Sequence, residues 1–332
     1  MKIGLPRALT YYEYGGLAQT FLEMLDQEVV ISPPTQEEIM RLGTSLCVDE
    51  ACLPVKLFHG HAAWLKDRVD AILLPVLKGV ARHEYMCPKM IGLTDMVRHS
   101  IPGLPRIISP LIEISGSLHS VRRTLRELGR EFTSDRTRVE TAVGMALAEH
   151  MSVLEALRAG ELPIEGWRPP LEPILRVGVV GHSYTLYDRH VSMDLIRKLS
   201  AMNVAVVTPE MLDAGETRRT ADELPKKIFW TLPKRQAGAA LMLGGDPGID
   251  GIIFVAAYGC GIDAFIGDLC ERMIQRKRNL PFMTLTLDEH SGPAGMETRV
   301  EAFIDMLERR LGDGGDISPD GDAEHLGQVF AG

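Results

Sequence analysis

Short runs rich in Val, Ile and Leu alternate along this chain with longer stretches whose apolar residues recur every three or four positions. That alternation is the pattern of parallel α/β layers, where each helix crosses back over a sheet. The first half predicts strands near Lys2–Leu5, Glu28–Ser32, Ala71–Val76 and Arg106–Ser109. Helices are predicted between them over Tyr12–Leu25, Gln36–Leu42, Pro54–Leu65 and Pro88–His99. Gly116–Ala159 is almost free of Gly and Pro and reads as one or two long helices. Glu161–Pro173 (ELPIEGWRPPLEP) is Pro-rich and marks a boundary.

A second alternation starts with strand Arg176–Val180, then helix Met193–Met202 and strand Ala205–Thr208. Helical stretches follow at Arg218–Lys227 and Gln236–Leu243, then strand Gly251–Ala257 and helix Ile262–Arg276. Strand Pro281–Thr286 and helix Thr298–Leu311 close the series. The expected organisation is a first α/β domain over 1–115 and a helical connector with Pro-rich linker over 116–173. A second α/β domain over 174–311 and a disordered tail over 312–332 complete it. No repeat of solenoid period is visible.

Charge narrows the possible partners. Among 332 residues, 36 are Lys or Arg and 45 are Asp or Glu, a formal balance of −9, which argues against nucleic acid as a partner. No apolar run nears the roughly 18 residues of a membrane-spanning helix. The start MKIGLPRAL has no long apolar stretch and no small-residue cleavage site, so it is not a signal peptide. The expected compartment is cytoplasmic, where the five cysteines stay reduced and serve as ligands, nucleophiles or core filling.

Three of those cysteines sit at the predicted mouths of helices. Cys52 precedes Leu53-Pro54 and an apolar-periodic stretch, Cys87 precedes Pro88 directly, and Cys260 follows strand GIIFVAA and leads into the helix from Ile262. Orphan N–H groups and the positive end of the helix dipole at such sites lower a thiol's pKa and favour bound negative charge. Without a Cys-x-x-Cys pair the trio does not match a structural zinc site, whereas three thiolates suit a [4Fe–4S] cluster whose fourth iron is open or otherwise ligated. The competing reading is three buried small hydrophobes. Cys270 falls on a stripe of Ile262, Phe265, Ile266, Leu269, Met273 and Ile274, the core face of a helix. Spacing alone leaves Cys47 either a spare ligand or a core thiol.

Other candidates are polar. Lys56 in the first turn after Cys52 could screen a negative group, or be a solvated surface lysine. His59 and His61 stand two apart on a helix and point in different directions, so they do not share an ion. Glu289 and His290, in the Asp-Glu-His-Ser-Gly segment after a strand, are candidates for acid, base or fourth ligand, though the same residues are ordinary loop chemistry. Gly259-Cys260-Gly261-Ile262-Asp263-Ala264 formally matches a dinucleotide-binding fingerprint, but a Cys in the turn weakens it. No P-loop and no nucleophile elbow is present.

Five segments carry a resemblance: IGLPRALTYYEY (Ile3–Tyr14), VDEACLPVKLFHGH (Val48–His61), EYMCPKMIGLTDMVR (Glu84–Arg98), YGCGIDAF (Tyr258–Phe265) and PFMTLTLDEHSGPAGMETRVEAFIDML (Pro281–Leu307). They resemble the acyl-CoA dehydratase activase-related proteins, which are similar to catalytic subunits of 2-hydroxyacyl-CoA dehydratases, benzoyl-CoA reductases and double-cubane-cluster reductases. The resemblance implies two Rossmann/flavodoxin-like parallel-sheet domains joined by a long helical segment. It implies an iron–sulfur cluster held by Cys52, Cys87 and Cys260, a [4Fe–4S] cluster or part of a double-cubane cluster. It further implies low-potential electron transfer to a small substrate from a separate ATP-hydrolysing activase of actin-like fold, and pairing with a second copy or a related cluster subunit. Two alternatives remain: a non-catalytic cluster carrier or redox relay, and a zinc-binding module using the three cysteines with His290.

Overall fold

The computed structural model describes residues 1–79, 84–113 and 118–312. Strand β1 (Lys2–Leu5) leads into helix α1 (Tyr11–Glu23), and β2 (Glu28–Ile31) into α2 (Glu37–Leu46) and α3 (Leu53–Leu65). Strands β3 (Ala71–Leu73) and β4 (Val76–Gly79) precede α4 (Pro88–Ile91) and α5 (Leu93–Ser100). Strands β5 (Arg106–Ile108) and β6 (Leu111–Glu113) precede α6 (Leu118–Gly129) and α7 (Arg136–Arg158). Then come β7 (Leu175–Val180), α8 (Ser183–Leu186), α9 (Leu195–Ala201), β8 (Val204–Val207), α10 (Ala214–Asp222) and α11 (Thr231–Gly245). The last elements are β9 (Gly251–Ala257), α12 (Gly261–Lys277), β10 (Phe282–Leu287) and α13 (Pro293–Gly312).

Two four-stranded sheets have the orders β2-β1-β3-β5 and β10-β9-β7-β8, and every pairing is parallel. Numbered within each sheet, both follow 2-1-3-4; the parallel layers are those the alternating pattern predicts, and the Rossmann/flavodoxin-like winding is the one the resemblance implies. In this order the chain reverses direction across the sheet between the first and third strands. Their carboxyl ends border the crevice where such folds bind ligands. Both sheets lie in one compact unit, Met1–Ser291, while residues from Gly292 onward, including α13, form a second. The tail predicted over 312–332 lies, beyond Gly312, outside the described residues. No described helix is long and apolar enough to cross a membrane.

The first sheet buries both faces, as parallel sheets do. Ile3, Leu5, Ala71 and Leu73 pack with Phe21, Val139, Ala142 and Val143 from α1 and α7. Ile72 and Leu74, pointing the opposite way, pack with Val55, Phe58 and Ala62 of α3 and Val97 of α5. In the second sheet Val180, Ile252, Phe254 and Ala256 meet Ala237 and Ala240 of α11 and Ile266, Cys270 and Ile274 of α12. Cys270 is therefore core, as its stripe predicts. Phe265 is not: it stays 65% exposed.

Pro75 breaks the strand predicted over Ala71–Val76, and Pro110 follows the strand predicted over Arg106–Ser109. Pro75 and Pro110 offer no ladder N–H. The chain turns at each and resumes as the two-stranded pair β4-β6, bridged by Leu74 N–H to Ile108 C=O (2.9 Å) and Val76 N–H to Pro110 C=O (3.0 Å). Gly92 likewise divides the helix predicted over Pro88–His99 into α4 and α5. The long Gly116–Ala159 stretch divides at Asp135, whose carboxylate caps α7 by accepting from Thr137 and Arg138 N–H.

Two glycines let α3 approach α2 closely enough to fix the helix that carries Cys52. A Cβ on Gly43 would collide with the Lys56 carbonyl, and one on Gly60 with that of Ile39. Backbone on both sides leaves nothing flexible to yield. Gly60→Ala should cost about 1–3 kcal/mol in urea unfolding, the range for core overpacking. Gly144→Ala in α7, where nothing lies within 4 Å, should instead gain up to about 1 kcal/mol. Equal effects at the two sites would contradict this packing.

Candidate functional site

The three helix-mouth cysteines occupy N-cap positions, as their flanking residues predict: Cys52 on α3, Cys87 on α4 and Cys260 on α12. Pro54 and Pro88 sit in the first turns, where a missing N–H costs nothing. Backbone contacts draw the caps together. Leu53 N–H donates to the Tyr258 carbonyl (3.2 Å), joining the start of α3 to the turn after β9. Gly259 closes that turn at φ +77, and a Cβ there would stand 2.9 Å from the Cys52 Cα. Glycine thus serves close approach to Cys52, which accounts for the fingerprint-like spacing without a dinucleotide. Tyr85 bridges in parallel to Trp230 before α11, its N–H bonded to Phe229 C=O (2.8 Å), and this holds the segment leading to Cys87.

The thiols feel one another's charge. Burial, with Cys87 and Asp263 nearby, pushes the Cys52 thiol up. Burial and the Asp263 carboxylate push Cys260 up to about 12, with a further contribution from Cys52. Helix mouths alone predict lowered values; the corrected direction follows because lost hydration outweighs the dipole when the site holds only thiols. The Tyr184 phenol, raised well above its ordinary value first by burial, senses Asp263 and all three cysteines, so it keeps its proton at any physiological pH.

Behind Cys260 lies a buried acid–histidine pair. Asp263 Oδ1 meets His182 Nε2 at 2.9 Å, and its other oxygen accepts from Ala257 N–H at 3.4 Å. Burial works to raise the Asp263 carboxyl, but His182 and the Cys260 thiol hold it below the usual range. The His182 ring stacks on Tyr184 with centroids 4.7 Å apart. Both residues follow the carboxyl end of β7, and Cys260 and Asp263 follow that of β9, the two strands flanking the reversal point of the second sheet.

Lys56 and Glu289, from opposite ends of the chain, form a buried ion pair. Burial works to raise the Glu289 carboxyl, and Lys56 pulls it down below the usual value; Glu289 Oε2 is buried without a partner. His290, by contrast, is exposed on the turn, where its N–H donates to Asp288 (2.9 Å). Cys47 Sγ lies 3.6 Å from His59 Nδ1. His59 also bonds Val55 C=O, while His61 bonds Ser32 and Thr35, so the two histidines do separate jobs. Among the described residues no group of three or more His, Cys, Asp or Glu is gathered to hold a single metal ion, which leaves a zinc tetrad of Cys52, Cys87, Cys260 and His290 without structural support.

A cavity of about 210 Å³ opens beside Tyr184 and Met86, the residue before Cys87. Its polar side carries Lys234, bonded to Glu84 (2.9 Å) and Asp222 (2.6 Å), and Arg235, which grips Glu13 (2.5 and 3.3 Å) and reaches Glu210 (3.2 Å). The Thr231 hydroxyl on its wall is buried and has no partner. Leu9, also lining it, is held at φ +50, a conformation that is strained for a leucine.

A family model described as CoA enzyme activase uncharacterised domain (DUF2229) matches residues 2–212. The chain belongs to this family. No curated protein matches it. Among solved structures, it is similar to a chain titled "crystal structure of SsGBP and GDP complex" (10% identity, 92% of this chain and 99% of that one, TM-score 0.25). It is also similar to "a Novel D-lactate Dehydrogenase from Sporolactobacillus sp" (11% identity, 96% and 98% covered, TM-score 0.15). Likenesses this low bear on neither fold nor function. The family match carries the first cap, Cys52, and the second, Cys87, together with His182 and Tyr184; Cys260 and Asp263 lie beyond residue 212.

Sequence reasoning picked out the cysteines, Lys56 and Glu289 but passed over His182, Tyr184 and Asp263. The signal was present: Gly-His-Ser-Tyr follows the apolar strand Leu175–Val180, at a carboxyl end where such sheets place ligands.

Two outcomes follow from these electrostatics. Removing the negative charge in Asp263→Asn should let the metal-free Cys260 thiol ionise at lower pH, seen as iodoacetamide alkylation whose pH midpoint shifts downward; an unmoved midpoint would contradict the coupling. The depressed Glu289 carboxyl supplies stability that is present at neutral pH and lost as pH falls below its ordinary value of 4.5. The urea-unfolding gap between the native chain and Glu289→Gln should therefore narrow in acid, and a gap that widens there would reverse the assignment.

Proposed function

We propose that this CoA enzyme activase-family protein holds a [4Fe–4S] cluster on Cys52, Cys87 and Cys260, with an open or non-cysteine fourth position. Through it the protein passes low-potential electrons to a small substrate in the adjoining cavity. The observation that supports the reading is that three half-buried cysteines cap helices, with the α3 and α12 caps joined by the Leu53–Tyr258 bond and the close approach of Gly259 to Cys52. The donor set fits such a group. A cubane takes each thiolate on a different iron, so its sulfurs stand further apart than the ligands of one ion, in keeping with the absence of a single-ion cluster among the described residues. When bound, the cluster supplies one-electron transfer and an iron position open to a ligand.

The chain's own residues do the rest. Metal binding would deprotonate the cap thiols, and the raised values of Cys52 and Cys260 would then appear as a proton release on loading. Orphan N–H groups at the mouths of α3 and α12 face the negative sulfurs, and Lys89 adds positive charge near Cys52. Tyr184, protonated throughout, offers a hydrogen bond between the thiols and the cavity. Asp263 and His182 fix the Cys260 turn, while the Lys56–Glu289 pair ties the α3 mouth to the segment after β10.

Electron delivery needs a partner. Val48, Tyr85, Phe229, Tyr258 and Phe265 are large apolar residues 44–65% exposed, and four of them lie within a few positions of a cap cysteine in sequence or in the Tyr85–Trp230 bridge. Exposed apolar residues this near the cap cysteines in sequence support docking of a separate ATP-hydrolysing activase, or of a second cluster-bearing subunit.

Anaerobically purified Cys52→Ser, Cys87→Ser and Cys260→Ser proteins should each lose most of the broad visible absorption and iron of the native chain. Cys270→Ala, in the core of α12, should keep both and lose only on the order of 1 kcal/mol of stability. Equal cluster loss from Cys270→Ala, or a native chain without iron, would overturn the proposal.

A further inference from the structure

A second, larger cavity of about 590 Å³ lies at the carboxyl ends of β1 and β2, sharing with the cavity beside the thiols only Glu13. Its volume falls in the range of small-molecule sites. Arg7 enters it from the segment after β1, anchored by its backbone N–H on Ser32 Oγ (2.8 Å) and with its guanidinium 5.5 Å from the centre of the Tyr11 ring. Its Nε is buried and has no hydrogen-bond partner, and no carboxylate among the described residues pairs with it. A half-buried guanidinium normally finds an acidic partner.

Three of the four acids in the lining are held by other groups, and the fourth, Glu165, is exposed and acts on Arg189. Asp188 accepts from Thr35 Oγ1, from Tyr12 OH (3.1 Å) and from the N–H groups of His190 (3.1 Å) and Val191 (3.2 Å). Glu13 is held by Arg235, and Asp194 by Arg189 (2.5 and 2.8 Å). His150 Nδ1, on the same wall, is buried and unpartnered as well. The lining also includes the apolar residues Leu17, Val153, Pro163 and Ile164. Arg7 is thus left with a buried donor that no described group satisfies, and the apolar part of the lining suits a hydrocarbon body.

We infer that this cavity binds an organic anion, its carboxylate or phosphate head on the Arg7 guanidinium and its apolar body along Val153 and Ile164. The site is separate from the thiols and stands whether or not they carry a cluster.

Isothermal titration of the full chain with hexanoate and with inorganic phosphate tests it, in the native protein and in Cys52→Ser. Saturable binding of hexanoate alone assigns a carboxylic acid, of phosphate alone a phosphorylated ligand, and of both the shared anion head. Arg7→Gln should weaken the binding at least about tenfold, since a charge-assisted bidentate contact is lost, and Arg7→Lys should restore part of it. Val153→Trp, which adds bulk to the apolar lining and leaves Arg7 in place, should also reduce hexanoate binding while the melting temperature holds, so the test survives misfolding of the Arg7 variants. Binding should be unchanged in Cys52→Ser. Failure of both probes at millimolar concentration, or native affinity in Arg7→Gln, would overturn the inference.

Discussion

One close backbone approach organises the site: the turn after β9 lies directly on the start of α3. Leu53 N–H reaches the Tyr258 carbonyl, and Gly259 has no side chain to hold Cys52 away. Since α3 packs on the first sheet and β9 is central to the second, this contact brings a cysteine from each half into one place. Without it Cys52 and Cys260 would remain unrelated helix caps. The glycine contact between α2 and α3 serves the same end one layer back, because it fixes the position of the helix that Cys52 begins.

The electrostatics around that contact favour a bound group. Thiols gathered in a half-buried pocket, next to the Asp263 carboxylate, cost free energy as thiolates and so remain protonated when nothing is bound. On the proposed reading, cations on a cofactor would reverse the balance, and the same N–H groups and lysine would stabilise the ligated sulfurs. The buried pairs nearby are matched: Lys56 with Glu289, His182 with Asp263, Arg235 with Glu13 and Glu210. Arg7, in the other cavity, departs from that rule.

Features encoded locally were legible in the sequence. Helix mouths at Cys52 and Cys87 could be read because proline follows within two residues. The core role of Cys270 followed from a stripe at helical spacing, and the parallel α/β winding from alternation of short apolar runs with helices. Long-range features were not legible. Lys56 and Glu289 each drew attention, yet 233 positions separate them and nothing local announces their pairing. Asp263 reads as an ordinary first-turn acid until His182 arrives from another strand. The direction of the thiol shifts depended on burial, which spacing does not reveal, and Phe265 left its predicted stripe for the exposed surface. Pro75 and Pro110, each without a ladder N–H, interrupt the strands, and the chain beyond them resumes as the β4-β6 pair.

The central claim concerns what the three cap cysteines hold, and elemental composition addresses it most directly. One anaerobic determination of iron, acid-labile sulfide and zinc on the native chain should return about four irons and four sulfides per chain, with no zinc. A single zinc with neither iron nor sulfide would contradict it.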